Sequence, residues 1–270
     1  MAAVAALLFT GVSVQQANGE LDNRRKELEI AQEGQVTERF TTAVGQLGDK
    51  SPDVQLGGIY GLQRIMKDSP RDQPAVIDIL SAFVRTHAVK SKTHPRVGAP
   101  ADVQAAVSVL VNRDEREDGP ARVDLGGAVL SAANLHRTVD ERGVPLAGAV
   151  LNAANLFGAD LWEADLAGAK MGGVDLRHAD LREADLHGAY LETAVLGSAD
   201  LTGANLDGAF LVGADLGGTD LRETTGLTVE ALIWADPPEK DYPPDLPPKL
   251  AKDPRVKKWL AGKGPQPAPA

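Results

Sequence analysis

The sequence predicts a mixed fold: an α-helical unit first, a repeating unit after it, and a short helical cap at the end. Three observations carry this. Apolar residues recur at helical spacing between residues 20 and 113. A leucine then falls at every fifth position from Leu146 to Leu221, and a short apolar segment, Leu227–Trp234, follows where the repeat stops. A period of five fits neither the 3.6 residues of a helical turn nor the two of a strand, so the second unit is built by internal repetition.

Within 270 residues there is room for two compact units plus tails. The expected division is an apolar segment at 1–19, a helical unit at 20–113, the repeat at 121–223, and a cap with a Pro-rich, basic tail at 224–270. No cysteine is present, which excludes disulfides and thiolate chemistry, and the five histidines form no ligand-spaced pair. The net charge of −10 is concentrated in residues 144–223, which carry thirteen acidic against four basic side chains. That balance argues against direct nucleic-acid binding by the repeat.

Ala2–Val14 is almost wholly apolar. As a helix it would reach only about 20 Å, against about 30 Å of bilayer hydrocarbon. Without a basic leader or an Ala-x-Ala site it fits a secretory signal poorly. The favoured expectation is the tail of a membrane helix that begins upstream of Met1, with Arg24, Arg25 and Lys26 holding the downstream side in the cytoplasm. The competing expectation is an apolar helix end with no membrane role.

Four amphipathic helices follow from the spacing of Val36, Phe40, Val44 and Leu47; Leu56, Ile59, Leu62 and Met66; Val76, Leu80 and Phe83; and Val103, Val107 and Leu110. Gly48–Pro52 and Asp68–Pro70 break the first three apart, and Pro74 and Pro100 suit first helical turns. Short turns between such helices make a stack similar to HEAT-type repeats. The basic linker Lys90–Pro100 is expected to be a solvated loop.

The repeat is strict. Sixteen units run from Val144 to Glu223; only Met171 replaces the leucine, and Ala stands two before the centre in thirteen. The residue just before the centre is Asp in eight units and Asn in two, and the last position is Gly in nine. These A(D/N)Lxx units resemble the pentapeptide-repeat family, over about Val123–Glu223. The resemblance implies a right-handed quadrilateral β-solenoid with four units per coil, with the Leu and the preceding Ala inward. Leu alternating with Ala fills a narrow core at near-constant volume, and Gly eases the corners. An independent period supports four sides. Unusual residues before the centre fall at Val150, Lys170, Tyr190 and Phe210, twenty apart, while Asp160, Asp180, Asp200 and Asp220 share a second face. Upstream, Leu125, Leu130 and Leu135 are in phase, but Leu135 and Leu146 are eleven apart. The expectation is that an insertion within His136–Gly143 replaces one unit and sets Val129 beneath Val150. About five coils result, roughly 24 Å long. Open ends need covers: the helical unit at one, and at the other a helix capped by Thr228 that lays Leu227, Leu232 and Trp234 over the last coil.

No catalytic constellation, cofactor motif or metal-ligand spacing is present, and the aspartates read as solvated outward positions, so no enzyme activity is expected. Phe157 and Trp162 lie on adjacent outer faces, and Lys257, Lys258 and Trp259 stand ready to fold back on the acidic ladder. The stretches Gly34–Phe40, Gln46–Gly48, Leu56–Tyr60 and Asp102–Ala106 look like the helical region of bacterial pentapeptide-repeat proteins that carry an N-terminal membrane segment. This implies a protein–protein interaction scaffold at the cytoplasmic face of the membrane, with an unidentified protein partner and its binding on one of the two faces above. The alternative is an acidic DNA mimic that binds a topoisomerase such as gyrase. A homodimer through the apolar stripe or the cap stays open.

Overall fold

The computed structural model describes residues 2–88, 99–133, 135 and 143–262, with side chains described from Gly19 onward. The first helix, α1 (Ala2–Leu47), runs without a break across the expected boundary at residue 19. At 46 residues it is about 69 Å long. No helix among the described residues is long and apolar enough to cross a membrane.

Helices α2 (Pro52–Asp68), α3 (Gln73–His87) and α4 (Ala101–Val111) close the helical unit around Leu47, Ile59, Leu62, Val76, Leu80, Val103, Val107 and Leu110, all buried. Pro100 is the N-cap of α4, one position ahead of the first turn. The crossing of α1 and α2 is close because Gly58 lacks a side chain: a Cβ there would lie 2.6 Å from the Ala43 carbonyl oxygen. Arg39 to Asp68 (2.8 Å) and Arg71 to Glu33 (2.6 Å) tie the rim of the same crossing. The basic linker, apart from Ala99 and Pro100, lies outside the described residues.

From Asp124 on, the chain makes isolated parallel bridges, and beyond Pro145 they recur at a separation of twenty residues: Val150 with Lys170, Lys170 with Tyr190, Asp160 with Asp180, Asp165 with Asp185. Up to the last bridged units, the five-residue units find acceptors by one rule, illustrated by Leu151–Asn155. The Leu151 N–H donates to the Lys170 carbonyl (2.7 Å), Ala153 to Gly172 (2.9 Å), Ala154 to the Leu151 carbonyl across its own corner (3.1 Å), and Asn155 to Ala128 (2.8 Å). That accounts for four of five donors in a unit. The remaining one belongs to the residue after the leucine, and where Asp or Asn stands just before that leucine its acceptor is that side chain.

The corner residue before each Ala takes a positive φ, for example Gly158 (64°), Glu163 (54°) and His178 (59°). Glycine is common there because an L side chain at such a φ costs about 1–2 kcal/mol. The inward leucines and alanines are buried throughout, Met171 and Val174 with them. Thr219, also buried, donates its hydroxyl to the Leu196 carbonyl at 3.0 Å and so tolerates an inward position.

The expected register of the first coil is corrected. Asp124 pairs with Val150 and Val129 with Asn155, an offset of twenty-six residues. Leu125, Leu130, Leu135 and Leu146 therefore all fall between one bridged position and the next, and no unit is lost. Six extra residues are accommodated between the third and fourth sides; eleven residues is equally one unit plus six or two units plus one, and the pairing selects the former.

The helical unit meets this first coil directly. Ala88 accepts from the Val129 N–H (2.8 Å), and Arg85 reaches both the carbonyl and the carboxylate of Asp124, each at 2.8 Å. Beneath the junction, Arg113 grips Asp118 through Nε and Nη2 (2.7–3.0 Å) and caps the Leu110 carbonyl through Nη1 (2.7 Å). Gln73 adds a bond to Asp118 Oδ1 (2.8 Å), and the pair is almost fully buried.

At the far end, α5 (Val229–Ile233) is capped by Thr228, whose hydroxyl accepts from the Ala231 N–H at 3.1 Å. Leu232 is buried and Leu227 partly so, but Trp234 is exposed, contrary to expectation. The buried indole is Trp259 on α7 (Pro254–Leu260), which follows the short α6 (Pro248–Ala251). Trp259 Nε1 donates to the Ala235 carbonyl at 3.0 Å, so this segment packs on the cap instead of the acidic ladder. The chain between them extends the bridging by pairing Asp215 with Asp236 and Asp220 with Asp245.

Candidate interaction faces of the repeat

The unmatched donor of each unit explains the aspartates. Asp160 accepts from the Trp162 N–H (3.3 Å), Asp180 from Arg182 (3.2 Å), Asp200 from Thr202 (2.9 Å) and Asp220 from Arg222 (3.0 Å). Asp165, Asp175, Asp185, Asp215, Asn155 and Asn205 do the same two residues on. A short side chain that accepts from the backbone two positions later is the Asx-turn preference of Asp and Asn. These carboxylates are outward, as expected, and they also close the corners.

The structure brings Asp160, Asp180, Asp200 and Asp220 together as one bridged column. Its charge is partly neutralised. Arg182 chelates Asp180 through Nε and Nη2 (2.8 and 2.5 Å) and extends toward Asp200 (3.9 Å); Arg222 chelates Asp220. These arginines hold the Asp180 and Asp220 carboxyls below their ordinary range, as Arg177 does for Asp175 on the neighbouring face. Asp165 shifts upward: desolvation leads, and Asp185 and Glu115 add repulsion. It lines a cleft of about 250 Å³ with Arg113, Asp118 and Arg122 at the junction with the helical unit.

Val150, Lys170, Tyr190 and Phe210 form a second bridged column, on a different face. The Tyr190 and Phe210 rings stack with centroids 5.0 Å apart and 9° between their planes, which is the coil spacing written in side chains. Both are exposed, by 43% and 47%, and Val212 beside them by 41%. Trp234, also exposed, continues the adjoining row of Glu192 and Val212, since its carbonyl accepts from the Gly213 N–H at 2.8 Å as that of Val212 accepts from the Thr193 N–H at 2.9 Å. With no Asp or Asn before the centre, the N–H groups of Glu192 and Val212 have no acceptor among the described residues. This face thus combines exposed aromatic surface with backbone donors.

Sequence reasoning missed Val212 and Trp234. Sorting by twenties one position after the centre gives Asn152, Gly172, Glu192 and Val212, a row without an apolar signal, and Trp234 lies in the cap, which leaves the five-residue register. Phe157 and Trp162 are separate from this face. Phe157 packs edge-on against His178 (5.1 Å), under the Arg177 guanidinium (5.7 Å), and Trp162 is partly exposed. Among the described residues, no group of His, Asp or Glu could hold a metal ion.

The family model described as pentapeptide repeats matches eight copies here, over residues 142–171, 159–197 and 199–225. Among solved structures, a pentapeptide repeat protein from the Arabidopsis thaliana thylakoid lumen is 29% identical, covering 36% of this chain and 63% of its own, with a TM-score of 0.23. A pentapeptide repeat protein from Nostoc Pcc 7120 is 35% identical over 40% of this chain and 80% of its own, at a TM-score of 0.15. QnrB1, a plasmid-mediated fluoroquinolone resistance protein, is 23% identical over 43% and 62%, at 0.25. The chain thus spans less than two thirds of the Arabidopsis protein and of QnrB1. No curated protein matches it.

Proposed function

From the premise that the chain belongs to the pentapeptide-repeat family, we propose that it is a non-enzymatic protein–protein interaction scaffold whose repeat winds as a right-handed quadrilateral β-solenoid beside a HEAT-like helical unit. The observation that carries this is the face of Tyr190, Phe210, Val212 and Trp234. Exposed, stacked aromatic rings on a backbone fixed by inter-coil hydrogen bonds give a partner large apolar area at little ordering cost. Contiguous apolar surface of this kind marks interaction sites.

Crosslinking in cells, followed by identification of bound proteins, tests the reading when run beside Tyr190→Ser/Phe210→Ser. The expected result is a partner captured by the natural chain and lost from the double variant. An unchanged set of partners would remove this face from consideration.

The scaffold works at the cytoplasmic face of the membrane in this proposal, held by the apolar start of α1 with Arg24, Arg25 and Lys26 following it. The full natural protein should then sediment with membranes at low and high salt; recovery in the soluble fraction under both conditions would end the membrane half of the proposal. The column of Asp160, Asp180, Asp200 and Asp220 keeps the topoisomerase alternative testable. Inhibition of gyrase supercoiling by micromolar protein would favour it, although Arg182 and Arg222 already occupy two of the four carboxylates.

A further inference from the structure

We propose that α1 pairs with α1 of a second copy as a parallel, in-register two-stranded coiled coil. The proposal uses a surface separate from the repeat and does not depend on the scaffold reading.

Among the residues of α1 whose side chains are described, the C-terminal part from Val36 on packs on the rest of the chain. Every residue from Gly19 to Gln35 is exposed, including Leu21 (56%) and Leu28 (63%). Among the described residues Glu33 alone of these has an ion pair, with Arg71. A helix standing free in water over this length is marginal, since most helical stability in proteins comes from packing an apolar face.

The sequence supplies such a face. Leu7, Val14, Leu21 and Leu28 are spaced by seven, and Ala3, Thr10, Ala17, Arg24 and Ala31 make the second line of the same heptad. A seven-residue apolar repeat winds two helices about each other, which neither a single surface helix nor a spanning segment requires.

Charge selects a second copy, and selects the parallel direction. In a parallel pair, residues flanking the seam meet partners five positions on. With the leucine line as the first core position of each heptad, Glu20 then faces Arg25 of the second copy, so the flanks beside Leu21 are self-complementary. In that register Arg24 falls on the second core line of the seam and weakens the pairing, which makes the association concentration-dependent. Parallel helices also send both N-termini the same way, so the pairing is compatible with attachment of both chains to one membrane.

Sedimentation equilibrium of the full chain tests this. The expected result is a monomer–dimer equilibrium that Leu21→Asp/Leu28→Asp shifts to monomer, while circular dichroism and the unfolding midpoint of the remaining protein stay as they were. Glu20→Arg should weaken the dimer and Arg25→Glu, added to it, restore it. Because the chain has no cysteine, Leu21→Cys should crosslink to itself under mild oxidation only if the helices are parallel and in register. Tyr190→Ser/Phe210→Ser should leave the dimer intact. A monomer at every soluble concentration overturns the proposal, as does a dimer indifferent to the Asp pair or an absence of Leu21→Cys crosslinking. A monomer whose binding to phosphatidylglycerol vesicles is abolished by Leu21→Asp/Leu28→Asp would assign the stripe to lipid instead.

Discussion

The helical unit and the repeat reach the same degree of burial by opposite rules. In the helices each contact is individual: Gly58 at one crossing, Gln55 donating to the Asp49 carbonyl at one turn, Arg113 with Asp118 at one joint. In the repeat one solution is copied, with the same donors, acceptors and corner in coil after coil. A fault in the first should therefore have no substitute elsewhere, whereas a fault in the second is flanked by sound copies, as expected when repeats contact only their neighbours.

The largest effect should come at the joint. Arg113→Met leaves the buried Asp118 with Gln73 as its remaining side-chain partner, and breaking a buried pair on one side costs about 3–5 kcal/mol. Urea denaturation should show that loss. Arg113→Met/Asp118→Leu should recover much of it, because an apolar pair leaves no uncompensated charge. A single variant as stable as the natural chain would mean the joint is not held by this pair, and the contrast between the units would fail there.

Gly58→Ala comes next. Its Cβ would sit 2.6 Å from the Ala43 carbonyl and 3.0 Å from Gln46 Cβ, so α1 must move off α2. Overpacking of this kind costs about 1–3 kcal/mol. Thermal unfolding followed at the helical band should show it.

Corner substitutions in the repeat should be milder and of either sign. Ala153 holds a φ of 55°, so Ala153→Gly should stabilise, by up to about 1 kcal/mol once the entropy of glycine is subtracted. Gly158→Ala, at 64° with open space around its Cβ, should destabilise by about 1 kcal/mol. Equal effects in both directions would show the corner to be rigid; no effect would show that it relaxes.

The same contrast explains what the sequence disclosed. The repeat's period, its inward leucines, its two unlike faces and the stacking of Tyr190 over Phe210 followed from spacing, because a copied geometry puts equal residues at equal intervals. What did not follow lies where copying stops. The offset between Asp124 and Val150 depends on how many residues leave the register, which a count of eleven leaves ambiguous. Trp259 takes the buried place expected for Trp234, because the cap is an individual packing solution. The unbroken α1 passes Gly19, since one glycine costs a helix only about 1 kcal/mol. The outward Asp signal was visible, but its physical role needed the backbone: only a full accounting of donors shows one N–H per unit awaiting a side chain.

The smallest effect separates the two jobs of those aspartates. Asp175, Asp180 and Asp220 titrate below their ordinary value because Arg177, Arg182 and Arg222 bond their charged forms. A carboxyl with a depressed folded pKa contributes stability that is present above its unfolded value, near pH 4, and is lost as pH falls through the folded one. Acid should therefore weaken the repeat below about pH 4. Asp165 has the opposite sign: its raised folded pKa favours the fold at low pH, and that contribution is lost as pH rises through the folded value. Asparagine keeps the corner bond, as Asn155 and Asn205 do, while removing the titration. Asp180→Asn should thus flatten the acid limb of a stability–pH curve and lower the neutral plateau. Asp165→Asn should raise the plateau instead. If both variants moved the plateau the same way, the corner bond and not the charge would govern these positions.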